Sequence, residues 1–271
     1  MATFLGAMLA RQAVLAFVAV LVMAASAGVQ LHWYYGNQVR PPAEGIEIRV
    51  LSVNLRKGRA DVQSVIDLAR TGADVITLSE LTPGWVKQFY AAGMREVFPH
   101  SVLVPAPDAG GIGIWSRYPL ESIASLKGGS MVAARVTVPG LPDAAIVAAV
   151  HVINPLTFYG RAFELWRAGM ATLDTRMIDL AERAGAAPVI IAGDFNSTPD
   201  MRQFRDLLRV GFNDAAAQLG SGWAPTFPSG RRIPSLVTID HVLTRHATTV
   251  SLRTVEVPQT DHRALAATIV V

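Results

Sequence analysis

The feature that most constrains this chain is a series of apolar, strand-like runs that end in acidic, amide or imidazole side chains. The run of residues 189–193, for example, is followed by Asp194 and Asn196. Short apolar runs bounded by turn-forming residues are typical of strands buried on both faces. Asp and Asn also punctuate strand ends as simple turn residues. However, two residues of an extended segment that are two apart share one side, so this pair can bind a ligand jointly.

The same pattern recurs along the chain. The polar strand ends are Asn54, Glu80, His151 with Asn154, Asp194 with Asn196, Asp240 with His241, and Asp261 with His262. Generic turns would use Gly and Ser as readily, so the restriction to Asn, Asp, Glu and His favours a functional site. His241 is interpreted as structural, because it points to the opposite face of an extended segment from Asp240.

Further strand-like runs, without a polar end of this kind, are predicted at residues 110–120, 131–138 and 265–271. Helical patterns alternate with all these runs. Apolar spacing predicts helices near residues 60–70, 161–185 and 201–210, and we see no internal repeat or second linker. A short polar segment with two prolines, residues 40–45, is interpreted as a linker. We therefore expect an N-terminal hydrophobic segment, residues 1–38, followed by one catalytic-size α/β domain, residues 39–271.

The N-terminal segment carries no charge from Ala13 to Val29, and the aromatic residues 33–35 follow it. That length and those aromatic side chains predict a membrane-spanning anchor. Arg11 on its N-terminal side favours a cytoplasmic N-terminus and an extracytoplasmic catalytic domain. The small-x-small pattern at residues 25–27 also fits a cleaved signal peptide, which would make the protein secreted. A buried core helix is the third, least favoured interpretation.

Composition excludes several classes of site. The 271-residue chain has no cysteine, which excludes disulfides, thiolate zinc sites and cysteine nucleophiles. Its net charge of +3 suits contact with phosphates or an anionic membrane surface, but it is too small to identify a nucleic-acid-binding protein. No feature indicates an obligate protein partner.

The polar strand ends together predict a site for a hard metal ion with acid–base groups beside it. Carboxylate and amide oxygens are the ligands that Mg²⁺ prefers, and Mn²⁺ is the alternative. Histidine supplies a group that titrates near neutral pH. Such a set fits the hydrolysis of a phosphate ester, in which a metal polarises the phosphoryl oxygens and a base activates water.

The order of these motifs resembles the endonuclease/exonuclease/phosphatase superfamily, which is deoxyribonuclease I-like. The resemblance rests on "LSVNL", "TLSEL", "AAVHV", "GDFNSTP", "IDHVL" and "TDHRAL", and it covers about residues 50–271. It implies a four-layer αββα sandwich of two mixed sheets. The superfamily includes nucleases, neutral sphingomyelinases and inositol polyphosphate 5-phosphatases, so it implies a phosphoric-ester hydrolase.

The resemblance also implies roles for the metal-binding and water-binding side chains. Glu80 would be the main magnesium ligand with Asn54 beside it, and Asp261 would lie close to the metal. Asp194 would orient or deprotonate the attacking water, and Asn196 would hold that water or a phosphate oxygen.

Further roles fall on the imidazoles and the substrate contacts. Asp240 and His262 would form a pair in which His262 contacts the scissile phosphate, and His151 would be a second phosphate-facing histidine. Asn154 and Arg56 are candidate substrate contacts.

Two departures from the family pattern bear on these roles. Arg56 stands where exonuclease III-type members carry an acidic residue, and deoxyribonuclease I-like members have a basic residue there. This leans away from abasic-site repair and towards a nuclease-like phosphodiesterase. Gly110 and Gly111 stand where deoxyribonuclease I has a glutamate that supports its first catalytic histidine. His151 is the corresponding histidine here.

The substrate stays open between nucleic acid and a lipid headgroup. A lipid phosphodiesterase or phosphatase, similar to a sphingomyelinase or a phosphoinositide phosphatase, is the alternative function, and a non-catalytic anchored module is a third. Trp223 and Phe227, in a loop rich in Gly and Pro, are candidates to line a substrate groove.

Overall fold

The computed structural model describes residues 2–36, 39–40, 42, 44–123, 129–156, 160–230 and 233–271. Part of the predicted linker, at Pro41 and Ala43, lies outside these residues. The helices are α1 (Ala2–Tyr35), α2 (Val62–Gly72), α3 (Pro83–Ala91), α4 (Met94–Val97), α5 (Ala162–Ala184), α6 (Arg202–Leu207) and α7 (Ala215–Leu219). The strands are β1 (Glu47–Asn54), β2 (Val75–Ser79), β3 (His100–Val104), β4 (Ile112–Ser116), β5 (Leu120–Ser122), β6 (Met131–Val136), β7 (Ala145–His151), β8 (Val189–Asp194), β9 (Asn213–Asp214), β10 (Asp240–Arg245), β11 (Thr248–Glu256) and β12 (Arg263–Val270).

The strands form two six-stranded sheets. The first sheet has the order β11-β12-β1-β2-β4-β3, and the second has the order β5-β6-β7-β8-β10-β9. Each sheet contains one parallel pair, β1 with β2 and β7 with β8, among antiparallel neighbours. Both sheets are therefore mixed, and the predicted fold class is confirmed.

Strand alternation builds the layers of this sandwich. Val50 of β1 and Ile190 of β8 point into the space between the sheets, where they belong to one apolar core. Leu51 of β1 points the other way and packs with Trp85 of α3 in a second core. Trp166 of α5 belongs to a third core, on the outer face of the second sheet. Burying each large apolar side chain contributes about 1.5–3 kcal/mol, so three cores hold four layers together.

Helix α1 is not part of these cores. Its most apolar 18-residue window, within Ala10–Tyr35, has a mean hydropathy of 2.3, and none of that window is buried against the rest of the protein. Within the described part of the chain it is the one helix long and apolar enough to cross a membrane. The structure thus does not use it as a core helix, and a membrane span and a signal sequence both fit its length and composition.

Candidate active site

Sheet topology gathers the predicted residues at one edge of the sandwich. In the first sheet, Asn54 ends β1 opposite Ser79 of the parallel strand β2, so Glu80 follows directly beside it. In the second sheet, Asp194 of β8 is paired with His151 of β7 on one side and with Asp240 of β10 on the other. The carboxyl ends of parallel neighbours meet at one sheet edge, which brings together residues far apart in sequence.

Asp194 lies at the centre of this group, and its side chain is buried. Its Oδ1 accepts a hydrogen bond from the backbone N–H of Asn196 at 2.8 Å. Its Oδ2 accepts from Nδ2 of Asn54 at 2.9 Å and from Nδ2 of Asn196 at 3.2 Å. The Asn196 amide also donates to the backbone oxygen of Val152 at 2.8 Å. The two residues of the "GDFN" motif therefore do act as a unit, and Asn54 joins that unit from the opposite sheet.

Glu80 lies on the other side of the Asn54 amide. The Nδ2 of Asn54 is 3.3 Å from Oε1 of Glu80, and Oε2 of Glu80 accepts the backbone N–H of Lys57 at 2.7 Å. The Oδ1 of Asn54 accepts the backbone N–H of Arg56 at 2.9 Å. The loop after β1 thus holds both side chains in place, while one amide group links the carboxylates of Glu80 and Asp194.

Backbone strain is concentrated around these residues. Non-glycine residues with positive φ include Arg56 (47°), Lys57 (55°), Glu80 (56°) and Asn196 (46°). Such conformations cost on the order of 1–3 kcal/mol for most side chains and persist where the surroundings over-determine them. Here each of the four is tied to the Asn54 network by the hydrogen bonds described above. The strain therefore coincides with the positioning of Glu80 and Asp194.

Asp240 and His262 form a direct pair. Nδ1 of His262 is 2.8 Å from Oδ2 of Asp240, and its Nε2 is 3.8 Å from Oδ2 of Asp194. The ring of Phe227 packs on the imidazole with centroids 5.1 Å apart. All this fixes the ring plane and points Nε2 towards the carboxylate of Asp194.

The charges in this pocket alter each other's protonation. Burial, together with the Asp240 carboxylate, raises the pKa of Asp194 from 3.8 to about 6, against the opposing effect of His262 and His151. Burial lowers the pKa of His262, but the carboxylates of Asp240 and Asp194 outweigh it and raise that pKa to about 10. His262 therefore carries a positive charge at neutral pH in the metal-free pocket, where it can contact an anionic phosphate.

His151 lies between two carboxylates. Its Nε2 is 3.8 Å from Oε1 of Glu80 and 3.9 Å from Oδ2 of Asp194. These distances are longer than hydrogen bonds, so the ring lies beside both carboxylates without being hydrogen-bonded to either of them. Although Gly110 and Gly111 replace the supporting glutamate of the family pattern, His151 thus has two acidic neighbours.

The remaining predicted residues lie further out. Nε of Arg56 is 3.5 Å from Oδ2 of Asp261, and the two side chains are 40% and 24% exposed. Asn154 is exposed after β7, and its Oδ1 accepts the backbone N–H of Leu156 at 2.8 Å. The hydrogen bonds and ion pairs described above join the other predicted residues to Asp194, whereas these three residues lie at the rim of the pocket.

The donor set fits a hard divalent cation. One ligand atom each of Asp194, Asp240 and His262 lies within 4.8 Å of the others, and Glu80 adds an acid beyond Asn54. Buried carboxylates whose charge is incompletely compensated are costly, and the raised pKa of Asp194 has that origin. A divalent cation among these oxygens would offset the cost, and carboxylate-rich sites suit Mg²⁺ and Mn²⁺.

Two threonines complete the site, and sequence reasoning did not identify them. Oγ1 of Thr260 donates to the backbone oxygen of Asn54 at 2.8 Å and accepts the N–H of His262 at 3.3 Å. Oγ1 of Thr226 accepts the N–H of Asp240 at 3.2 Å. Thr260 stands two residues before His262, a spacing at which a hydroxyl often bonds the backbone. Thr226 lies in an irregular loop, where no pattern marks it.

A family model, the Endonuclease/Exonuclease/phosphatase family, matches residues 51–262, which include Asn54, Glu80, Asp194, Asp240 and His262. The chain belongs to this family. Its members are hydrolases that act on phosphoester bonds. The resemblance inferred from the sequence motifs is thereby confirmed.

Solved structures share the fold. The 3′ phosphatase NExo from Neisseria, bound to a product DNA hairpin, aligns with a TM-score of 0.65 and 19% identity, covering 81% of this chain and 98% of that one. The beta toxin of Staphylococcus aureus with bound magnesium ions aligns with a TM-score of 0.60 and 15% identity, covering 82% and 99%. Sphingomyelinase C from Streptomyces griseocarneus aligns with a TM-score of 0.57 and 16% identity, covering 82% and 99%. At such identities the likeness shows the fold alone. No curated protein matches the chain in sequence.

Proposed function

We propose that this protein is a Mg²⁺-dependent phosphoric-ester hydrolase, a nuclease-like phosphodiesterase anchored in a membrane by α1. The observation that carries the proposal is the convergence of Glu80, Asp194, Asp240 and His262 from both sheets on one pocket. A pocket of this kind combines oxygen ligands for a cation with a charged imidazole. The magnesium-bound beta toxin, which has the same fold, is consistent with that choice of ion.

The proposed role of each residue follows from its surroundings. Glu80 would be the main ligand of the cation with Asn54 beside it, and Asp261 would lie close to the cation from the rim of the pocket. The cation would supply charge stabilisation at the phosphoryl oxygens. Asp194, whose pKa is raised to about 6, would orient the attacking water and accept its proton. Asn196 would hold that water or a phosphate oxygen.

The imidazoles would act on the phosphate. His262, kept charged by Asp240, would contact the scissile phosphate and stabilise negative charge there. His151 would be the second phosphate-facing group. Arg56 and Asn154, at the rim of the pocket, would contact the rest of the substrate.

The domain boundaries follow the same proposal. Residues 1–38 would form the anchor and residues 39–271 the catalytic domain, with the catalytic domain outside the cytoplasm. If the N-terminal segment is instead cleaved as a signal peptide, the enzyme would be secreted.

A lipid headgroup phosphodiesterase or phosphatase is the second candidate function. It is favoured by the position of α1, whose last turn contacts Asp200, six residues after Asp194. An anchor whose end contacts the loop after β8 would keep the enzyme near lipid phosphates. Nuclease-like activity is favoured by the basic Arg56 at the pocket rim.

The test is an activity assay of the full-length protein in detergent. Plasmid DNA, sphingomyelin and phosphoinositides would be supplied in parallel with Mg²⁺, with Mn²⁺ or with EDTA. We expect hydrolysis of one phosphate ester class with either cation and its loss in EDTA. Glu80→Gln should raise the Mg²⁺ concentration needed for half-maximal activity by about tenfold or more, because loss of even a group that supports a metal ligand typically costs about 10–100-fold in metal affinity.

Asp179→Asn is the matched control, because this partly exposed acid of α5 pairs only with Arg183 among the ion pairs described. It should keep the wild-type requirement for Mg²⁺. Hydrolysis that persists in EDTA would contradict the metal dependence. A folded protein without activity on all three substrates would favour the non-catalytic module.

A further inference from the structure

The last turn of α1 is fastened directly to the catalytic domain. Oη of Tyr34 donates to Oδ1 of Asp200 at 2.9 Å, and the Arg205 guanidinium lies 4.3 Å from the ring centroid of Trp33. Beyond the helix, the N–H of Val39 donates to the backbone oxygen of Gln218 at 3.0 Å. The end of the helix therefore contacts the domain directly.

Two glycines bring the chain segments into close contact at this junction. A Cβ on Gly222 would lie 2.4 Å from Cε1 of Tyr35, and a Cβ on Gly36 would lie 2.7 Å from Cβ of Ala217. Both glycines also have positive φ. The α1 end is thus seated against α7 and against the loop that precedes β10, which restricts how the helix can tilt relative to the domain.

The length of the helix sets the level of the bilayer. A membrane span needs about 20 apolar residues. Counted from Ala13, where the uncharged run begins, such a span ends at His32. Because the residues that follow, up to Tyr35, are the ones that contact the domain, they lie at the level of the lipid headgroups. The domain surface beside those residues is therefore at the same level.

That surface is apolar and exposed. Trp223 is 53% exposed and Leu236 is 49% exposed, and the Trp223 Nε1 donates to the backbone oxygen of Leu236 at 3.1 Å. A cleft of about 350 Å³ separates Trp223 from α1. It is lined by Ala27, Gln30, Leu31, Tyr34, Tyr35 and Trp223. Exposed Trp and Tyr side chains with an apolar body and one polar atom are typical of a membrane interface.

The same loop reaches the catalytic pocket. Four residues after Trp223, the ring of Phe227 packs on His262, and Phe227 pairs with Val237, next to Leu236. One continuous loop thus has its exposed side beside α1 and its buried side against the pocket. Contact of the exposed side with a bilayer would hold the pocket directly at the membrane surface.

We propose that Trp223 and Leu236, together with the end of α1, form a lipid-facing surface that inserts into the interface of the bilayer. Its occupant is the headgroup and upper acyl region of the leaflet on the domain side. The inference rests on the proposed anchor, and it adds a second membrane contact that orients the pocket. Its continuity with the apolar surface of α1 is the reason to assign lipid rather than a protein partner.

The chain has no cysteine, so single cysteines can carry an environment-sensitive fluorophore at chosen positions. The full-length protein would be reconstituted in phosphatidylcholine–phosphatidylglycerol vesicles with and without doxyl-labelled lipid. Leu236→Cys tests the surface, and Trp223→Cys repeats the test at its neighbour. Val29→Cys reports on the anchor. Lys87→Cys is the matched control, because Lys87 is an exposed residue of α3, the helix that packs on the outer face of the first sheet.

We expect about twofold quenching by shallow doxyl groups at Leu236 and Trp223, as for side chains about 5–10 Å into the interface. Val29 should also be quenched, whereas Lys87 should not. Quenching at Val29 but not at either loop position overturns this inference and leaves the anchor standing. A blue-shifted Leu236 label that doxyl lipid does not quench would indicate a protein partner and likewise overturn it. An unquenched Val29 removes the anchor and the inference together. The readout needs no turnover, so failure of the proposed hydrolase would be seen separately.

Discussion

Asp240 and His241, on opposite faces of β10, each form an Asp–His pair with a residue from another segment, and the difference between the pairs shows what makes one of them a candidate catalytic pair. Towards the space between the sheets, Asp240 binds Nδ1 of His262 at 2.8 Å. Towards the helical layer, His241 uses its Nδ1 to bind Asp214, also at 2.8 Å. All four side chains are buried. In both pairs, Nδ1 of a buried histidine is thus hydrogen-bonded to a buried aspartate at the same distance.

The second ring nitrogen distinguishes them. Nε2 of His241 is 2.9 Å from the backbone oxygen of Ser197, so both nitrogens of that ring are hydrogen-bonded within the protein. Nε2 of His262 lies 3.8 Å from Oδ2 of Asp194, too far for a hydrogen bond, so this nitrogen would be the one to contact a substrate in the proposed mechanism. A histidine can act on a ligand only where the fold leaves one nitrogen available in a polar pocket. Reasoning from strand alternation placed His241 on the structural face, and the structure agrees.

The largest expected effect comes from the inward pair and its neighbour. His262→Ala or Asp194→Ala should lower turnover by about 10² or more. His262 would stabilise developing charge on the phosphate, and Asp194 would orient the water and accept its proton, so each variant would lose a transition-state contribution. The measurement is kcat with saturating Mg²⁺ on the ester class identified in the substrate assay. Circular dichroism would verify that each variant is folded. Near-normal turnover of folded His262→Ala would break the distinction between the two pairs, and near-normal turnover of folded Asp194→Ala would contradict its proposed role.

The outward pair should behave in the opposite way. His241→Gln loses at least one buried hydrogen bond to a charged or backbone acceptor, which should cost about 1–3 kcal/mol of unfolding free energy. Turnover should stay within about threefold of the wild type, because a side chain that only supports the fold makes no transition-state contact. Chemical denaturation and kcat on the same preparation separate the two effects. A large loss of kcat with unchanged stability would show that His241 belongs to the reaction.

Sequence reasoning identified the interior of each sheet better than its borders. The apolar runs predicted β1, β2, β4, β6, β7, β8, β10 and β12, which occupy the inner positions of the two sheets. The strands that were not predicted separately, β3, β5, β9 and β11, are the edge strands. Inner strands are buried on both faces and are therefore continuously apolar, whereas edge strands such as Thr248–Glu256 keep polar residues facing solvent.

The candidate site shows the same division. Residue types at strand ends predicted which side chains gather, since strand order and direction bring those ends to one edge. Local sequence could not predict that Nδ2 of Asn54 links Glu80 and Asp194, because that contact joins the two sheets. Nor could it predict Phe227 against His262, because an irregular loop has no periodicity that specifies its packing.

The smallest expected effect is a difference in pH dependence between the pairs, measured on metal-free protein in EDTA. The pKa of His262 rises from 6.5 to about 10 in the folded protein. Its pairing therefore contributes stability that is fully present below pH 6.5 and is lost as pH rises through about 10. Asp240→Asn removes the charge that sustains this shift, so its unfolding free energy should fall less between pH 7 and 9, by on the order of 1 kcal/mol. Asp194 adds no slope in that window, because its folded pKa of about 6 lies below it. If the unfolding free energies of wild type and Asp240→Asn fell equally between about pH 7 and 9, the Asp240 charge would not contribute to the raised pKa of His262. NMR titration of the His262 imidazole in both proteins would measure that pKa directly.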